Sequence, residues 1–133
     1  MKVFDKLFVN KLYEQATLSS RKRSHYLLHK DHQEKVQRLF IALLKDSYVP
    51  PHYHEQSHQW ELFVVLEGCL EVCIYDKSTK NVTRSLLVGP AQDVSSIELQ
   101  PLEVHSVRCV SDQALMLEIK EGPFNQEYTK MLE

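Results

Sequence analysis

The chain has 133 residues, 43% of them hydrophobic and 26% charged, the balance of one folded domain with little chain left for a second. Sixteen basic residues against eighteen acidic ones leave a formal charge of −2, which excludes a globally basic nucleic-acid binder. No apolar run approaches the roughly 18 residues that cross a bilayer, and the charge-rich start from Met1 to Gln15 is no secretory signal. The expectation is a cytoplasmic protein with neither nucleic-acid nor membrane partners.

Residues 3 to 17 carry Phe4, Leu7, Phe8 and Leu12 near helical spacing, with Lys6, Asn10 and Glu14 between them. They predict an amphipathic helix ended by Ser19 and Ser20. A basic stretch follows, Arg21-Lys22-Arg23-Ser24-His25. His29 and His32 read as surface residues of a short turn. From Asp31 the pattern is ambiguous. Asp31 and Glu34 have capping-box spacing, and Val36, Leu39, Phe40 and Leu43 keep helical spacing. Yet Leu39 to Leu44 is also a continuous apolar run of the kind a buried strand shows. Local spacing alone favours helix.

From Ser47 onward the signals are β. Leu62 to Leu66 is densely apolar. Leu70, Val72 and Ile74 alternate with Cys69, Glu71 and Cys73. Asp76 to Asn81 predicts a polar hairpin turn and Gly89-Pro90 another. Further strands are predicted at Ile97 to Leu99, Val104 to Val110 and Leu115 to Ile119, before the Gly122-Pro123 break. The tail with Phe124, Tyr128 and Met131 is expected to close as a short helix. Short strands separated by turns predict a mainly β sandwich or barrel. The three glycines form no Gly-rich loop, which excludes P-loop and dinucleotide fingerprints. The three cysteines are odd in number and without a CxxC pair, so reduced thiols are expected.

The histidines carry the chemistry. His52 and His54 sit at i and i+2, on one face of a strand, where two imidazoles can reach one metal ion. Glu61 heads the apolar run, and a carboxylate there is costly unless paired, hydrogen-bonded or metal-bound. His105 stands just inside a later strand. Read singly, each of these is more often an ordinary core or surface residue. The joint order of His-x-His, Glu, Gly and a later Pro and His is much sharper.

His52-x-His54, Glu61-x6-Gly68 and Pro101-x3-His105 resemble the two motifs of the cupin superfamily. Residues 60 to 68 are especially close. Val36-Gln37-Arg38-Leu39, Ser47-Tyr48-Val49 and the stretch from Glu118 to Pro123 extend the resemblance to the WbuC-type cupin-fold metalloproteins, a bacterial group linked to O-antigen and polysaccharide gene clusters. The similarity runs from about residue 20 to residue 125. It implies a cupin double-stranded β-helix, a small jelly-roll barrel with an N-terminal helix. Its divisions are residues 1–20 as the helical segment, 21–125 as the barrel and 126–133 as a tail. It implies that Gln37 to Leu44 is a strand, tertiary pairing overriding local propensity. It carries four ligand roles onto His52, His54, Glu61 and His105. Six residues separate His54 from Glu61, about two more than usual in such proteins, which makes Glu55 the rival carboxylate.

Three neutral imidazoles and a carboxylate on an octahedral divalent ion leave two positions open, and the donor set suits Fe, Mn, Zn, Ni or Co. Two chemistries fit: Lewis-acid isomerisation or epimerisation, and dioxygenase chemistry at iron. A non-catalytic carbohydrate-binding or sensing module is the alternative. The expected ligand is a small, sugar-derived molecule. His25 and His58 are candidate general bases at the rim. Arg21, Arg23 and Trp60 are candidate substrate contacts, the arginines for a phosphate or carboxylate. Tyr53 alternates away from His52 and His54 and is expected to pack. The apolar face of residues 4 to 13 fits either its own barrel or a second copy in a homodimer.

Overall fold

The computed structural model describes residues 1–133. Helix α1 spans Lys6–Thr17. It starts where the Asp5 carboxylate accepts from the Phe8 amide at 2.9 Å, an N-cap that satisfies one of the helix's orphan donors. Ten strands follow: β1 (Arg23–Leu27), β2 (Val36–Leu44), β3 (Tyr48–His54), β4 (Glu61–Glu67), β5 (Leu70–Tyr75), β6 (Val82–Val88), β7 (Ser96–Leu99), β8 (Val104–Cys109), β9 (Gln113–Glu121) and β10 (Thr129–Met131). They form two five-stranded sheets, ordered β1-β2-β9-β4-β7 and β10-β3-β8-β5-β6. The ladders within them are antiparallel, and the sheets face each other as a jelly roll.

The ambiguous run resolves as strand β2. Its odd positions, Leu39, Ile41 and Leu43, enter the core between the sheets. Its even positions Phe40 and Ala42 pack under α1 with Leu12 and Tyr13. A strand buried on both faces reads as an unbroken apolar run, which removes the alternation that would have declared it. The capping-box pair makes a turn instead: the Gln33 amide donates to the Asp31 carboxylate at 2.9 Å, and the Lys30 amide to the Glu34 carboxylate at 2.6 Å.

Helix α1 lies on its own barrel. Phe4 and Phe8 stack edge-on against Phe40, with centroids 4.9 and 5.9 Å apart. Leu7, expected on the buried stripe, is 65% exposed. The stripe that packs runs through Phe8, Leu12 and Ala16. The tail also differs from expectation. Gln126–Tyr128 makes a single 3-10 turn, and the next three residues pair with β3 as β10. The three cysteines are free thiols.

Gly68 closes the β4–β5 turn at φ +75°, and a Cβ there would run into the Gln113 carbonyl and approach Ala114 Cα to 2.9 Å. Gly68→Ala is therefore expected to cost about 2 kcal/mol or more in chemical denaturation; an unchanged midpoint would show that this turn does not hold the sheets in register.

Candidate metal centre

Four side chains from both sheets meet at one place. His52 and His54 project from β3, and His105 from β8 is the register partner of His52. Pro50 and Pro51 lack amide donors, and the β3–β8 register shifts by a bulge between Val49 and His52. Glu61 enters from β4 of the opposite sheet, where its backbone pairs with Lys120 and Leu99. One ligand atom from each of the four lies within 4.8 Å of the others. Donors held about 2.1 Å from a single ion stand ~3.0 Å apart when adjacent and ~4.2 Å when opposite, so little settling is needed.

The hydrogen bonds around the rings decide which nitrogens face inward. His52 Nδ1 lies 2.9 Å from the Pro50 carbonyl and His105 Nδ1 lies 2.9 Å from the Glu103 carbonyl. A carbonyl only accepts, so both Nδ1 atoms carry protons. In the neutral ring each Nε2 then carries a lone pair. His54 Nδ1 bonds the Thr129 hydroxyl at 3.1 Å. Glu61 Oε1 lies 2.7 Å from His54 Nε2 and 3.3 Å from His105 Nε2, yet all three atoms are buried without a hydrogen-bond partner. The His105 Nε2 lone pair thus faces the Glu61 carboxylate in a water-poor spot, an arrangement that calls for a cation; the Thr129 hydroxyl can donate or accept and leaves His54 free to present its Nε2 lone pair as well.

Burial alone would push the Glu61 carboxyl up; the adjacent His105 and His54 rings and the Glu118 carboxyl outweigh it and hold the group well below the usual range. His52 is lowered to about 4, first by burial and then by His105, so its ring is neutral near pH 7. Glu118 goes the other way, raised to about 8 by burial and then by the Glu61 charge. Lys120 Nζ stands 3.5 Å from Glu118 and 4.3 Å above the Phe124 ring.

A cavity of about 290 Å³ opens beside the cluster, with His52 and Glu61 in its wall. Arg23 and His25 line it, on alternate positions of β1. Arg21 is exposed and outside the lining, and its carbonyl accepts from the Ser47 hydroxyl. Trp60 borders a small second recess near His54 and Phe124. His58 is half-buried, with Nε2 unpartnered, and lines neither space. Glu55 turns toward Lys130, at 4.0 Å, so the carboxylate in the cluster is Glu61. Tyr53 points away, its ring under Lys77.

The surface reading holds for His32, which is exposed in the turn, and needs correction for His29, which is 5% exposed. Both line the cavity, and the His29 Nδ1 is tied to the Arg38 backbone at 3.0 Å, which folds the turn over the barrel end. Gln37, Glu118 and Lys120 also line the cavity unforeseen. The available signal was on β9, where Met116, Glu118 and Lys120 share one face of an otherwise apolar strand.

Fold and site together define a cupin jelly roll with a group of three histidines and one glutamate able to hold a metal. The family model described as Domain of unknown function (DUF6016) matches residues 4–87, and the chain belongs to that family. No curated protein matches it in sequence. Among solved structures it resembles an oxalate oxidase in complex with the substrate analogue glycolate, with TM-score 0.63, 19% identity, and coverage of 81% of this chain and 55% of that one. It also resembles CapF with the inhibitor 3-isopropenyl-tropolone, with TM-score 0.69, 15% identity and coverage of 83% and 32%. KdgF from Halomonas sp. matches at TM-score 0.61 and 12% identity, over 79% of this chain and 82% of that one. The chain spans about half the oxalate oxidase chain and about a third of CapF. At these identities the likeness establishes the fold. No helix is long and apolar enough to cross a membrane.

His25 is exposed at the cavity mouth, and its place in the wall lowers it from the ordinary 6.5 to about 4, by desolvation first and then by Arg23, Arg21 and Lys120. The unfolded chain takes up this proton near pH 6.5 and the folded chain only near 4, so His25 removes stability as pH falls through that window. An NMR titration of the ring should find its midpoint near 4, and His25→Gln should flatten the acid loss of stability between those values. A midpoint at the ordinary value of 6.5 would contradict this environment.

Proposed function

We propose that this chain is a metal-dependent enzyme acting on a small organic molecule, with His52, His54, Glu61 and His105 as the ligands of one divalent ion. The observation that carries the reading is the set of buried, partnerless atoms His54 Nε2, His105 Nε2 and Glu61 Oε1, with the Nδ1 of each of the three histidines already engaged. That is the pattern of metal-ligating histidines oriented by outer hydrogen bonds. Nitrogen and oxygen donors without thiolate suit Fe, Mn, Zn, Ni or Co. Four protein ligands leave two positions on a six-coordinate ion, and the bound ion would supply Lewis-acid polarisation of a substrate oxygen or, as iron, a site for oxygen chemistry.

The chain's own residues do the rest. His52 and Glu61 face the cavity, so they are the ligands beside which substrate enters. Phe63 and Met116 keep the approach dry, which strengthens every charge interaction at the cluster. Glycolate and tropolone, named with two structural relatives, each offer two adjacent oxygens, the donor pattern that two neighbouring open positions would take. The WbuC-type resemblance supports placing the reaction in sugar or polysaccharide metabolism, and the cytoplasm is the matching compartment. A volume of about 290 Å³ lies at the small end of metabolite sites and favours a compact substrate over a polymer.

Metal analysis of protein purified without chelators tests this. About one ion per chain is expected, with His52→Ala and His105→Ala each losing at least about tenfold in affinity. Thr129→Val, which removes only the partner of His54 Nδ1, should weaken binding by a smaller factor. Chelation should lower the melting temperature of the wild type alone, since an ion bound only by the folded chain stabilises it. Full metal content in both histidine variants would refute the assignment, and a loaded protein that turns over no small molecule would favour the binding-module alternative.

A further inference from the structure

The inward-facing side chains of the first sheet fall into rows across the strands. Gln37, Lys120 and Glu61 share one row, and Leu27, Leu39, Glu118 and Phe63 the next. His25, Ile41 and Met116 follow, and Arg23 with Leu43 comes last. Successive rows are two residues apart, about 6.6 Å, so the Arg23 backbone lies roughly 20 Å along the strands from the Glu61 row. The cavity touches every row. The ligand cluster stands at one end and Arg23 at the other; between them lie Leu39, Ile41 and Met116, with Glu118 and His25 in the same rows.

Arg23 is the group no other feature explains. It is half-buried and spends a single N–H on the Tyr48 carbonyl, at a long 3.4 Å. No carboxylate stands at ion-pair distance from it, whereas Lys120 at the other end lies 3.5 Å from the Glu118 carboxyl. Burial and the neighbouring Arg21 both disfavour its charge. An uncompensated guanidinium in a cavity wall is costly. Its planar fork of donors matches a carboxylate, which brings the negative charge that the Arg23 end lacks.

We infer that the cavity takes an elongated organic acid: its carboxylate pairs with Arg23, its hydrocarbon body lies along Leu39, Ile41 and Met116, and its other, oxygen-bearing end faces the His52 and Glu61 cluster. The last clause rests on the metal-site reading; the Arg23 anchor does not. About 290 Å³ gives room for about ten groups of water size, at ~30 Å³ each. A neutral free sugar brings no carboxylate and leaves the Arg23 guanidinium unpaired.

Calorimetry on the full chain, with octanoate, octanedioate and galactose as probes, tests this. Octanoate should bind the metal-free wild type, at least about tenfold more weakly after Arg23→Gln, with Arg23→Lys recovering part of the loss. Octanedioate should bind metal-loaded protein more tightly than metal-free protein, and His52→Ala should abolish that gain. Equal octanoate affinity in wild type and Arg23→Gln, no octanoate binding, or tighter binding of galactose would overturn the proposal. Arg23-dependent octanoate binding by a chain that takes up no metal would remove the metal reading and leave the anchor standing.

Discussion

Two imidazole rings whose Nδ1 protons are committed to backbone carbonyls have nothing but lone pairs left for the space they share with Glu61. His52 and His105 are in this position, each bonded to the carbonyl two residues before it. Both bonds are local, so the tautomer is set by the strand itself and does not wait for a ligand. In water such rings would simply be hydrated. Here His105 and Glu61 are 2% and 5% exposed, so the electrostatic demand must be met inside the barrel by a cation or by a proton. The depressed pKa of His52 argues against the proton at that ring.

That demand shapes the architecture around it. The histidines belong to one sheet and the glutamate to the other, so an ion at the cluster ties the two layers together at the barrel mouth. The last strand is also recruited. β10 has only three residues, but it places the Thr129 hydroxyl on His54 Nδ1 while its backbone extends the sheet beside β3. On the opposite sheet Glu118, raised to about 8 by burial and the Glu61 charge, stands next to Glu61 and 3.5 Å from Lys120. Arg23, at the far end of the cavity, has no carboxylate at ion-pair distance.

Much of this was legible in the residues. His52 and His54 at i and i+2 needed only strand alternation to share a face, and Glu61 stood out as a charge heading an apolar run. What placed His105 with them was the joint motif order, since nothing local marks it. Strand β2 was opaque for a physical reason: burial by sheet on one face and by helix on the other erased its period of two. His29 reads as a surface residue because a polar side chain in a turn is usually solvated, and its inward tie is to backbone atoms nine residues away. Thr129 was invisible because a three-residue strand carries no periodicity and its contact with His54 spans 75 residues. Glu118 differs again. Its alternation with Ile119 was readable, but its unusual protonation depends on Glu61, which only the paired register of β4 and β9 brings near.

X-ray absorption at the metal edge of the loaded protein addresses the central claim most directly, because it counts and identifies donors at the ion itself. The account predicts a shell of nitrogen and oxygen donors at ~2.1 Å with the scattering signature of three imidazoles and no sulfur. A shell with one imidazole or none, or one containing thiolate, would contradict it.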